Sequence, residues 1–261
     1  MKFFSKWRKS TIGITLLFAA AILLLGVSAI SGVRAALTVQ SEVYSAEMEL
    51  KDIGVTLTEN DIPVSRRNFV AGGGYVWDET TGPLLAEMLA QSENVLKLGF
   101  PYEERFAVTN SGRIDEYVRV RVYRYWARVN EQGKITEKLR ELDPSLIELE
   151  WDHLGSDWIL DSDRNTTERC ILYYNRALPV GERTEAFTKL LTIDPSLPYK
   201  VTQTTENGVI TTVYDYGGVT FQVEIEVDAV QTHSGRQAIQ SAWGLTDEQL
   251  SQLEAAGLVI G

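Results

Sequence analysis

The chain has two histidines, His153 and His233, in different segments. A zinc peptidase of the familiar kind needs two His at helical spacing with a Glu base between them. No His-Glu-x-x-His occurs, so a catalytic zinc centre would have to rest on carboxylates. Each His reads instead as a surface or loop residue. The single cysteine, Cys170, sits in the run Cys170-Ile171-Leu172-Tyr173-Tyr174 with no His nearby. It reads as a small buried hydrophobe rather than a thiolate nucleophile. Asp157, Asp161, Asp163 and Glu168 form an acidic cluster around Asp161-Ser162-Asp163-Arg164-Asn165. Oxygen ligands of this kind can hold Ca²⁺. The spacing lacks the Gly and terminal Glu of an EF-hand, so the cluster is either a solvated loop or a structural cation site held by Asp157, Asp161 and Asp163. No Ser/His/Asp set or dinucleotide fingerprint occurs. Gly72-Gly73-Gly74 lacks the Lys-Ser/Thr ending of a P-loop. The sequence therefore calls for no catalytic residues and no cofactor.

Arg119, Arg121, Arg124 and Arg128 interleave with Tyr117, Tyr123 and Tyr125. The pattern has the outward form of a nucleic-acid platform, but the charge balance opposes that use. Net charge is -11, and the five basic residues of segment 1–35 leave 20 basic against 36 acidic in the remainder, or -16. Such a surface repels phosphates, so no nucleic-acid partner is expected. A solvated strand face with cross-strand pairs is the better reading. Trp77, Trp126, Trp151, Trp158 and Trp243 could line a glycan groove, although core packing explains buried Trp equally well. Asn165-Thr166-Thr167 matches a glycosylation sequon, which would matter only in a secretory pathway that glycosylates Asn.

The elements that must position these residues begin with an export segment. Residues 1–10 are basic, Ile12–Ile30 is almost wholly apolar, and small residues follow. This is the layout of a secretory signal over 1–35, cut after Ala35 or Ala36. The apolar run is long enough to span a bilayer if left uncut. In either case the basic flank stays inside and the rest lies outside. With one cysteine, no intrachain disulfide can form, which suits an exported protein of a Gram-positive bacterium.

In the segment 36–62, Met48 and Leu50, then Val55 and Leu57, alternate with polar residues as in strands. Segment 63–102 holds the glycine break and then Leu84, Leu85, Met88, Leu89 and Leu96 at three-to-four-residue spacing behind Pro83. That spacing predicts a helix over 83–97. From 103 to 244 strand signals dominate. Val118, Val120 and Val122 form one inward row, and Phe221, Val223, Ile225 and Val227 form another. Shorter strands are predicted at 147–151, 157–160, 170–176, 186–193 and 200–205. Asn207-Gly208 predicts a tight hairpin. Thr246-Asp247-Glu248-Gln249 is a capping-box pattern opening a C-terminal helix within 245–261. Together these predict an all-β, jelly-roll-like two-sheet sandwich.

Four stretches carry a family resemblance: the long-cored signal running into Ala35-Ala36-Leu37; Phe106 to Val120 with its Asn110-x-Gly112 turn and Tyr117-Val118-Arg119-Val120 strand; Tyr173-Tyr174 followed by Leu178-Pro179-Val180-Gly181-Glu182-Arg183-Thr184; and Val227 to Gln231 followed by Ala242-Trp243-Gly244. In order and spacing they resemble the TasA/camelysin family, with segment 63–102 as an insertion and the tail after Trp243 as an addition. The resemblance implies a jelly-roll fold, export by a SipW-type signal peptidase, and life in an extracellular matrix or at the cell surface. It also implies assembly, with itself or a matrix paralogue, in which an N-terminal strand carrying Leu37, Val39 and Val43 completes the sheet of the next subunit. Donor-strand pairing would supply main-chain hydrogen bonds and side-chain register; alternatively, this stretch folds onto its own domain or serves as a tether. A fibre subunit or accessory is thus the first expectation. A surface sandwich that binds glycan or cell wall is the second, and a camelysin-like metallopeptidase the third.

Overall fold

The computed structural model describes residues 53–70, 76–93, 95–131, 134–197, 201–206, 209–214 and 218–261. Gly54–Glu59 (β1), Ile62–Val70 (β2) and Val76–Thr81 (β3) form a meander, and Phe106–Asn110 (β5) pairs with the other side of β1. Tyr102–Glu103 (β4), Ile147–Trp151 (β8) and Thr188–Ile193 (β11) make a small second sheet. Backbone bonds Asn110 N to Glu182 O (3.0 Å), Thr184 N to Val108 O (2.8 Å) and Phe187 N to Phe106 O (2.8 Å) tie β5 to the segment leading into β11. The facing sheet is built on the long strand Glu116–Val129 (β6). One side of β6 carries Arg169–Tyr174 (β10), followed by Trp158–Leu160 (β9), and also Ile135–Leu139 (β7). Its other side carries Thr220–Gln231 (β14). Val201–Glu206 (β12) and Val209–Tyr214 (β13) form a hairpin with Glu206 opposite Val209. The Asn207-Gly208 pair itself lies outside the described residues.

The apolar faces of these sheets meet in one core, giving a β-sandwich-like arrangement. Leu57, Phe106 and Val108 of the first layer pack with Val118, Val120, Val122, Trp126, Leu172 and Trp158 of the other. The alternation of β6 decides this: its valine row has no solvent exposure because successive side chains of a strand point to opposite faces. Cys170 lies in the same core opposite Val122. Asn110 is fully buried; its side-chain amide donates to the carbonyls of Ile114 and Leu178, and its Oδ1 accepts the Gly112 N–H. This pins the turn into β6 and explains the Asn110-x-Gly112 pattern.

Two short helices follow β14: Gly235–Trp243 (α1) and Asp247–Ala255 (α2). They cover the outer face of the β6 sheet, where Tyr117, Tyr173, Ile171 and Val230 meet Ile239, Trp243, Leu250 and Leu253 in a second core. The capping box at Thr246 and Gln249 is formed as expected. The expected solvated face is thus corrected at its upper end. Arg119 is nearly buried; it stacks on the Trp243 ring at 5.2 Å and ion-pairs with Asp228 at 2.8 Å.

A second correction concerns segment 63–102. Much of it is sheet, and the predicted helix over 83–97 is reduced to a 3-10 turn at Met88–Ser92. Leu85 and Glu93 bracket that turn with φ of 60° and 59°, a left-handed conformation that no helix continues through. The Leu85 N–H donates to Glu59 Oε1 at 2.6 Å, and Ser92 Oγ donates to the Val95 carbonyl. Tertiary anchors have replaced the helical ladder while keeping Met88 buried.

Candidate functional site

The residues singled out for chemistry do not converge. Asp157 pairs with Arg176 at 2.8 Å, Asp161 pairs with Arg164 at 2.6 Å, and Asp163 accepts from Ser162 at 3.3 Å. Among the described residues no group of three or more His, Cys, Asp and Glu side chains is placed to hold a metal. His153 is exposed, 3.5 Å from Asp157 and 3.8 Å from Asp152, and His233 is exposed on a turn. Burial pushes the Cys170 thiol up against the lowering influence of Arg124, which disfavours the thiolate. Trp126, Trp158 and Trp243 are core residues, and Trp151 is half-buried; the Trp77 side chain lies outside the described residues. The Arg/Tyr row of β6 is matched to acids on β14: Arg121 meets Glu226 at 3.0 Å, Tyr123 meets Glu226 at 3.3 Å, and Tyr125 bonds Glu224. Ala35, Ala36, Leu37, Val39, Val43 and the apolar run 12–30 lie outside the described residues. No described helix is long and apolar enough to cross a membrane.

What remains, among the described residues, is an open edge. Among the described residues β14 pairs with β6 alone and ends its sheet. It is 12 residues long, far longer than β9 at the opposite end. A lone edge of that length presents a row of unpaired backbone groups, which is a template for another strand. Its inward row, Phe221, Val223, Ile225 and Val227, is only half-buried, in contrast to the fully buried valines beside it on β6. The reason is a groove between β14 and the facing sheet. One part, about 630 Å³, is walled by Leu84, Leu85, Met88 and Leu96, with Leu57 opposite Phe221, Val223 and Ile225. An adjoining part, about 280 Å³, is lined by Val55, Leu57, Arg66, Arg67, Glu79, Ile225, Val227 and Asp228. The groove is thus apolar at one end and charged at the other. Leu96, 38% accessible, adds exposed apolar surface at the apolar end.

The rival edge is guarded. β3 carries exposed Asp78 and Glu79, paired across the hairpin with Arg66 at 3.0 Å and Arg67 at 2.6 Å. Charges of this kind blunt an edge. The faultless alternation of β14 was visible in the sequence. That it borders an open groove was not, because alternation reports which face is apolar and not whether a neighbouring strand is present.

No family model matches the chain, and no match was found among curated proteins or solved structures.

Proposed function

We propose that this protein is an exported structural subunit or accessory of an extracellular matrix fibre, and that it assembles by accepting an extended strand along β14. The observation that carries this reading is the half-exposed apolar row Phe221, Val223, Ile225 and Val227 on an edge that, among the described residues, pairs with no further strand and stands above an apolar groove. A strand laid there would gain main-chain hydrogen bonds from β14 and bury alternate side chains between the sheets. The N-terminal segment with Leu37, Val39 and Val43 supplies such alternation, donated by a second copy or a paralogue. The resemblance to the TasA/camelysin family supports the same picture, including a jelly-roll topology, SipW-type processing at Ala35 or Ala36, and a place in the matrix or at the cell surface of a Gram-positive bacterium.

Electron microscopy of the processed protein, alone and with its matrix paralogue, tests the proposal. Fibres that vanish on deletion of residues 36–45, with the circular dichroism spectrum unchanged, are the expected result. Monomers alone under every condition would overturn it.

A further inference from the structure

The apolar wall of the groove is tied down at its first turn by a carboxyl group that has a second carboxyl group against it. Glu59 ends β1 and is 7% exposed; its Oε1 accepts the Leu85 N–H at 2.6 Å. Glu104, between β4 and β5, is 1% exposed. Its Oε2 accepts from Asn60 Nδ2 at 3.3 Å, its Oε1 is buried away from solvent, and the Glu59 carboxyl lies within hydrogen-bonding reach of it. The charged and polar groups that act on Glu104 come from three directions: Glu59 on β1, Asn60 in the β1–β2 turn and Glu87 on the wall itself. The flanking Arg105 is engaged with Asp61 at 3.3 Å and Glu103 at 3.2 Å. On the β11 side, the Thr188 hydroxyl donates only to the Glu104 backbone carbonyl. Two like charges cannot both be buried at such a spot without a large cost.

Resting on the strand-acceptor reading of the groove, we infer that the Glu59–Glu104 pair is a proton-operated latch on its apolar wall. With a proton on Glu104, the Glu59 carboxyl grips the Leu85 amide. When that proton leaves to solvent, the two carboxylates repel, Glu59 releases Leu85, and the wall carrying Leu84 and Leu85 loses its first anchor. The later anchors remain: Met88 in the core, Ser92 Oγ against the Tyr102 hydroxyl at 3.1 Å, and the Lys97 N–H donating to that hydroxyl at 2.6 Å. The release is therefore local, confined to the mouth of the groove. Burial first, then Glu59, pushes the Glu104 carboxyl up to about 8, which sets the window in mildly alkaline solution.

Hydrogen exchange on the full chain between pH 6.5 and 9.5 tests this, with protection factors corrected for the intrinsic rate. The Leu85 to Ala90 amides are expected to lose at least tenfold protection across the window while β6 and β10 keep theirs. Glu104→Gln, which cannot ionise, should flatten that response; Glu59→Gln, which keeps a carbonyl acceptor for Leu85, should do the same and covers the case where the first variant fails to fold. Unchanged protection in the wild type, equal loss in the variants, or parallel loss across the whole sheet would each overturn the latch. Because exchange is measured without a partner, the result stands apart from strand capture. A latch that responds to pH in a protein that captures no strand would refute the function and leave the latch intact.

Discussion

Replacing Glu116 by Gln should change how stability depends on pH. Glu116 opens β6 with no solvent exposure. Its Oε1 accepts the Gly54 N–H at 2.7 Å, fastening the start of β1, and its Oε2 is buried without a partner. Burial pushes the carboxyl from its ordinary 4.5 up to about 8, outweighing the hydrogen bond from Gly54, which lowers it. Between those values the folded protein holds a proton that the unfolded chain has released. Stability therefore falls as pH rises through the window and levels off on either side. The slope for one such group approaches ~1.4 kcal/mol per pH unit, so the cost accumulated by pH 7 is on the order of 3 kcal/mol. Glu104 adds a second fall of the same sign. Gln at position 116 keeps the carbonyl for Gly54 and does not titrate. Its buried amide leaves an offset of about 1–3 kcal/mol, but that offset does not vary with pH. Urea unfolding of both proteins at pH 5, 6, 7 and 8 gives the comparison. The variant should gain on the wild type by roughly 1 kcal/mol per unit across this range. Parallel curves would refute the argument that a protonated Glu116 is built into the fold.

Two further outcomes follow from the packing. Trp243→Ala removes the ring that Tyr173 meets at 5.5 Å and Arg119 at 5.2 Å; thermal unfolding should show a loss of about 3–5 kcal/mol, and limited proteolysis should cut first within 235–261. Thr246→Ala takes away the side chain that accepts the Gln249 N–H and should cost ~1 kcal/mol, read as a lowered Tm with no change in strand capture.

Strands with one buried face were plain in the sequence. Val118, Val120 and Val122 alternate with Arg and Tyr, and the facing sheet leaves them no other place. The capping box at Thr246 was equally legible because it is a local device. The 3-10 turn was hidden because Leu84, Leu85 and Met88 carry helical spacing, whereas Glu59, distant in sequence, takes the Leu85 amide. The β2–β3 hairpin was missed because Arg66 and Arg67 look merely polar until Asp78 and Glu79 stand across from them. α1 left a weak trace: Ile239 and Trp243 are four apart, and both are buried. The groove left none, since alternation reports which face of a strand is apolar and not what stands beside it. The scattered aspartates point the other way: proximity in sequence suggested a cation site, and each is placed against a different partner.

The most direct measurement is fluorescence anisotropy of a labelled peptide spanning residues 36–50, titrated with the wild-type protein and with Ile225→Lys. Ile225 is half-buried, so the fold should lose no more than about 1 kcal/mol. A strand seated in the groove would instead have to desolvate an ammonium against its own apolar side chains, at a cost of several kcal/mol. Saturable binding to the wild type, weakened at least ~100-fold in the variant, is the expected result. Equal binding to both proteins, or none to either, would contradict strand capture at β14.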